Sequence, residues 1–249
     1  CYYSVLGGYT VRFTVNSFKG NTGTFGAFAS NGTLVTIFTA IFIAMALFVV
    51  MAGVKGGIEK ASKVLMPTLF ILLIATAIFA LSLGEGVKEG LAFYLKPDFS
   101  KLSGTEILAA MGQAFYSLSL GMGAMVVYGS YTGKEVNVVK STAMICVFDT
   151  LVALLAGFAI FPALYHYKAT MGVMPEDIAG SKLMFQTLPL VFESLGTVGK
   201  IVSFCFFAMV VIAAITSVIS LLEVATQFVI QKFKIKRKVA TIALALFCF

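Results

Sequence analysis

Ser117-Leu118-Ser119-Leu120-Gly121-Met122-Gly123 interrupts an apolar stretch that otherwise runs from Ile107 to Val127. That stretch matches the roughly 20 helical residues needed to cross about 30 Å of bilayer hydrocarbon. Two hydroxyls and two glycines at its centre disfavour a continuous helix. Backbone polar groups at membrane depth need partners, so an unwound segment persists there only where it lines a cavity or holds a ligand. The segment therefore predicts a membrane-spanning helical protein and, at the break, a pore or substrate site.

Composition agrees with the first half of that reading. Hydrophobic residues make up 59% of the chain and charged residues 12%, and mean hydropathy is +0.99, far from an ordinary soluble domain. We read an all-α integral membrane protein forming one partial transmembrane domain over residues 1–249. Spans are expected near 1–15 (partial), 34–54, 64–84, 107–131, 141–165, 201–230 and 239–249 (partial). Both ends fall inside apolar patterns, and the chain has neither an initiator Met nor a signal peptide, so it is expected to be an internal piece of a longer chain.

Basic residues alternate between connections. Lys55, Lys60, Lys63, Lys134, Lys140, Lys232, Lys234, Lys236, Arg237 and Lys238 share one side with only Glu59 and Glu135. Glu85, Glu89, Asp98, Glu106, Glu176, Asp177 and Glu193 fall on the other. The Lys-rich side is expected to be cytoplasmic, in a bacterial plasma membrane. The net charge of +7 serves topology and anionic lipid; no basic face interleaved with exposed aromatics marks a nucleic-acid partner. Cys1, Cys146, Cys205 and Cys248 lack CxxC spacing and read as small core residues.

Thr10 to Gly32, rich in Gly, Asn, Ser and Thr, reads as an irregular extracellular loop. Leu183-Met184-Phe185-Gln186-Thr187-Leu188-Pro189 is too short to span and suits either a re-entrant hairpin or a plain loop. Asp149 sits inside an apolar span, where acids face the bundle interior and mark ion or proton pathways. Ala213-Ala214-Ile215-Thr216-Ser217 offers two adjacent hydroxyls, hard donors suited to Na⁺, although such hydroxyls also bond back along their own helix. Glu223 is deep enough to need a partner. His166, the single histidine, reads as an incidental surface residue after a helix end. No nucleophile with a base, zinc spacing or phosphate-cradling loop is present, so the chain is not read as an enzyme.

A broken helix, an acid in the next helix and a Thr-Ser pair two spans later form a transporter constellation. Gly112 to Gly123, followed by Tyr128-Gly129-Ser130-Tyr131, resembles helix 6 of the neurotransmitter:sodium symporter family. Lys60 to Phe70 resembles the start of helix 5, Asp149 to Pro162 helix 7, Thr187-Leu188-Pro189 the fourth extracellular loop, and Ala213 to Glu223 helix 8. The resemblance implies a leucine-transporter-like inverted-repeat fold, present in part from about helix 3 to helix 9. It implies sodium-coupled symport of an amino acid by alternating access, with two Na⁺ sites, each incomplete in this chain.

By the same resemblance Tyr3 holds the substrate carboxylate and closes the outer gate with Tyr116. Ser117 and Asp149 ligate the first sodium; the Ala213 carbonyl, Thr216 and Ser217 form part of the second. Leu6, Ser119, Met122 and Leu221 line the side-chain pocket, with Ser117 and Ser217 also beside the substrate, and Gln113 lies near Asp149. The pocket is apolar with one hydroxyl, which predicts a hydrophobic or aromatic L-amino acid. Most relatives carry Asn where this chain has Asp149, and Ala153 stands where others carry a chloride-binding Ser or an acid. Asp149 is therefore expected to supply the charge that chloride supplies elsewhere. The family's inner-gate acid falls at Gln231 on this register. Two readings compete: a same-fold carrier of another solute or of protons, and a non-transporting amino-acid-binding or regulatory membrane relative.

Overall fold

The computed structural model describes residues 2–19, 25–53, 57–174 and 180–248. These residues are almost entirely helical: α1 (Tyr2–Lys19), α2 (Phe25–Ala29), α3 (Gly32–Met51), α4 (Glu59–Leu81), α5 (Val87–Leu95), α6 (Gly104–Ser117), α7 (Ala124–Ser130), α8 (Val138–Met171), α9 (Gly180–Lys182), α10 (Leu188–Ser194), α11 (Gly196–Phe233) and α12 (Arg237–Cys248). Among them α3, α4, α8 and α11 are each long and apolar enough to cross a membrane. At 1.5 Å per residue the 34-residue α8 and 38-residue α11 reach roughly 50–57 Å, so both project beyond the hydrocarbon.

The long α11 is the hub, packing against α1, α3, α4, α7, α10 and α12. Its N-terminal half meets α1 and α10 in an aromatic cluster of Phe13, Phe185, Phe192, Phe206 and Phe207, with Phe13 and Phe185 rings 5.4 Å apart. Its C-terminal half packs Ile215, Val218, Ile219 and Leu222 against Phe42, Ala46 and Val50 of α3. The polar sequence beginning at Thr10 does not leave the helix there, contrary to the loop its composition suggests. Thr10, Thr14 and Ser17 donate their hydroxyls to the carbonyls of Gly7, Thr10 and Phe13 at 2.7–2.8 Å, so α1 carries its polar residues by back-bonding and continues to Lys19.

The segment around Leu183 is not a plain loop. A wide turn of π type at Leu183–Thr187 joins α9 to α10, and Phe185, Thr187, Leu188 and Val191 are buried at 2% exposure or less. His166 also differs from expectation. It lies within α8, half-buried, with Nδ1 2.9 Å from the Glu85 carbonyl, and so ties the connection before α5 to this helix. Cys146 is exposed on α8 and Cys205 half-buried on α11; the core role expected for Cys146 does not hold, because it lies on the largely exposed N-terminal half of α8. Cys1 and the Lys55, Glu176 and Asp177 charges lie outside the described residues.

Candidate functional site

The break between α6 and α7 is built by backbone conformation. Ser119 at φ 54°, Gly121 at 77° and Gly123 at 79° all occupy the left-handed region, which glycine enters freely and serine does not. Leu118, Ser119 and Leu120 amides bond back to Ala114, Tyr116 and Phe115 carbonyls, and the α7 ladder resumes with Val127 on Gly123. Among the described residues no backbone amide bonds the carbonyls of residues 117 to 122. Helix α6 opens with a capping box in which Ser103 and Glu106 satisfy each other's backbone amides, yet it buries none of its residues. Ile107, Leu108, Met111 and Phe115 are each more than half exposed.

One contact ties this exposed helix across to α8. Ser117 Oγ stands 2.7 Å and 2.8 Å from the two carboxylate oxygens of Asp149. The hydroxyl donates, and a carboxylate is a strong, charge-assisted acceptor. Hydroxyl and acid, 32 residues apart in sequence, thus converge where the chain unwinds. Gln113 is exposed, and among the described residues no hydrogen bond joins it to Asp149. Ala153, one turn beyond Asp149, is also exposed and brings no charge or hydroxyl.

A second group of oxygens gathers on α11. Thr216 Oγ1 and Ser217 Oγ both donate to the Ala213 carbonyl, at 2.9 and 3.1 Å. This is the back-bonding expected of hydroxyls within a helix, and it also brings three hard oxygens together at one point. Ser217 faces outward, and the Tyr3 phenol of α1 lies against it, within electrostatic reach of Tyr116. Tyr3 of α1 and Ser217 of α11 therefore face each other. Leu221, one turn below Ser217, is 39% exposed, and Met122 is 37% exposed. Leu6 is half-buried and packs partly on the Phe13 and Phe185 cluster. Both oxygen groups fit a hard monovalent cation; among the described residues no cluster of His, Cys, Asp and Glu suits a transition metal.

The C-terminal half of α11 holds a feature that sequence reading left unassigned. Glu223 is fully buried. Tyr131, just past α7, donates to its Oε1 at 2.6 Å, and Gln227 Nε2 donates to the same oxygen at 3.1 Å. Arg237 at the start of α12 forms a salt bridge with Oε2 and donates from Nε to the Val50 carbonyl at 3.0 Å. Tyr128 donates to Ser220 at 3.1 Å. The acid beside Tyr131 is thus Glu223 and not Gln231, which is exposed. Its signal in the sequence was an acid deep in an apolar run, with a cation opening the helix after the next break.

The chain is similar to known proteins along most of its length. Residues 13–249 match the profile of the sodium:neurotransmitter symporter family. An uncharacterised sodium-dependent transporter of Haemophilus influenzae is 36% identical over 95% of this chain and 53% of its own length. One from Bacillus subtilis is 37% identical, with the same two coverages. The chain thus spans about half the length of these curated relatives. The crystal structure of MhsT in complex with L-phenylalanine superposes with a TM-score of 0.86, at 39% identity, over 98% of this chain and 56% of that one.

Proposed function

The chain belongs to the sodium:neurotransmitter symporter family, with the leucine-transporter-like fold present in part, and from that premise we propose that the intact protein couples Na⁺ entry to uptake of a hydrophobic or aromatic L-amino acid. The observation that carries this reading is the Ser117–Asp149 pair at the helix break. It joins a fixed negative charge to a hydroxyl beside free backbone carbonyls, a donor set suited to Na⁺. The Ala213, Thr216 and Ser217 oxygens form part of a second Na⁺ position. Tyr3 and Tyr116 close over the substrate from the outer side, and Ser119, Met122, Leu6 and Leu221 shape its side-chain pocket. The MhsT structure holds L-phenylalanine, which supports an amino acid of this class here.

Asp149 makes transport independent of chloride. A carboxylate beside bound Na⁺ supplies permanently the charge that an anion would otherwise bring; two unit charges about 4 Å apart attract by roughly 4 kcal/mol at an effective dielectric near 20. On the opposite side, the Glu223–Arg237–Tyr131 cluster holds α7, α11, α12 and the end of α3 together. It faces the cytoplasm, with the Lys-rich connections, and must part for the site to open inward. The protein acts by alternating exposure of one site, with no covalent step.

The test is radiolabelled amino-acid uptake by the intact protein in proteoliposomes. Replacing sodium with choline is expected to abolish uptake, and replacing chloride with gluconate to leave it unchanged. Uptake that collapses in gluconate removes the role given to Asp149. Competition by charged amino acids or betaines ahead of leucine and phenylalanine removes the substrate class.

A further inference from the structure

Phe42 lies on α3, a helix that contributes none of the site residues, and it is fully buried. Its ring occupies the place where Gly7 of α1 lacks a side chain: a β-carbon on Gly7 would collide with three atoms of that ring. At the adjoining Gly8 a β-carbon would stand 2.7 Å from the Thr39 backbone nitrogen and 2.8 Å from its hydroxyl. Adjacent glycines are disfavoured inside a helix, and here both are explained by how closely α3 seats against α1.

Tyr3 is one turn from Gly7 on the same face of α1. It packs on the apolar cluster to which Phe42 belongs, together with Ile215, Val218 and Ile219 of α11, while its phenol lies against Ser217. Phe42 therefore touches the α1 face that carries Tyr3 and shares a cluster with the α11 residues flanking Ser217. We infer that Phe42 is a positioning residue for substrate capture: seated in the Gly7 notch, it fixes the separation of α1 and α11 at the level where Tyr3 meets Ser217. This rests on the role proposed above for Tyr3.

A ring that merely filled space would change how much protein folds, not how the folded protein holds its substrate. A positioning ring changes KM. Close packing makes the notch and ring complementary in size, so a β-carbon added on one side is matched by a smaller side chain on the other. The experiment measures sodium-dependent L-leucine and L-phenylalanine uptake by the intact protein in proteoliposomes, normalised to folded carrier by size-exclusion chromatography, for Phe42→Ala, Phe42→Leu, Gly7→Ala, Gly7→Ala/Phe42→Leu and Tyr3→Phe.

Phe42→Ala and Gly7→Ala are each expected to raise KM about fivefold or more, with Vmax per folded carrier little changed, since small misplacements of binding groups carry large kinetic costs. The Gly7→Ala/Phe42→Leu pair is expected to return KM to within about twofold of the parent, a coupling expected only of residues in contact. If Tyr3→Phe raises KM while the Phe42 and Gly7 single variants alter only the folded yield, the inference is overturned and the role of Tyr3 stands. A double variant as impaired as the product of its singles overturns it too. If Tyr3→Phe leaves KM unchanged, the assignment of Tyr3 itself is refuted.

Discussion

Replacing Glu223 with alanine gives a direct measure of how α7, α11 and α12 are held together. The carboxylate is wholly buried, and the side chain of its partner Arg237 keeps 23% exposure. Removing one member of a buried pair typically costs about 3–5 kcal/mol, because the other charge is left uncompensated. Arg237 retains its bond to the Val50 carbonyl and some water, which returns part of that cost. Tyr131 and Gln227 lose their acceptor, which adds to it. We expect a net loss of about 2–4 kcal/mol. At roughly 2 °C per kcal/mol for a protein of this size, the apparent Tm of the intact protein should fall by about 4–8 °C.

The assay is thermal denaturation followed by fluorescence-detected size-exclusion chromatography in one detergent. Lys63→Ala is the internal control. It breaks the Lys63–Glu59 pair, whose members are 72% and 50% exposed, and exposed pairs contribute about 1 kcal/mol or less. Combining Glu223→Ala with Arg237→Ala should cost clearly less than the two singles summed, since the second change removes the charge stranded by the first. A Glu223→Ala shift no larger than that of Lys63→Ala, or strict additivity in the double variant, would refute the reasoning.

Three further outcomes follow from the site. Ser117→Ala removes a hydroxyl held by both Asp149 oxygens and should raise the sodium concentration for half-maximal uptake about tenfold, the equivalent of a charged hydrogen bond of about 1.5 kcal/mol; an unchanged sodium dependence would separate Ser117 from ion binding. Thr216→Val keeps shape but deletes a donor to Ala213, so sodium affinity should fall while folded yield holds, as read by ²²Na⁺ binding to the purified protein. Gly8→Val drives a branched side chain into the Thr39 backbone and should cost about 1–3 kcal/mol of stability; full thermal stability in that variant would show that α1 and α3 are not closely seated.

Much of the fold was legible because its signals are local. The break at Ser117 to Gly123 shows in composition alone, and the structure expresses it through positive φ at Ser119, Gly121 and Gly123. Asp149 stood out as an acid in an apolar run, and its contact with Ser117 followed once family register aligned two helices. The sequence misled where local chemistry was overruled by packing. Thr10, Thr14 and Ser17 look like loop residues until their hydroxyls are seen bonded to carbonyls of the preceding turn, in a helix wedged between α3 and α11.

What stayed illegible was long-range pairing without a motif. Glu223 and Tyr131 are separated by 92 positions, and Glu223 meets Arg237 only because α11 ends at Lys234, in the left-handed conformation at φ 53°, and lets α12 fold back. Family register instead pointed to Gln231, two turns further along α11. Burial explains why the position nearer the centre carries the acid here: a fully enclosed carboxylate needs several donors, and Tyr131, Gln227 and Arg237 converge on Glu223. Gln231 is exposed, where a carboxylate would gain little from pairing. The same logic separates the two proposed ion positions. Asp149 brings a charge from a second helix to the break, whereas Ala213, Thr216 and Ser217 are neutral groups of one helix already bonded to one another, so a cation there must compete with hydrogen bonds that the protein makes for itself.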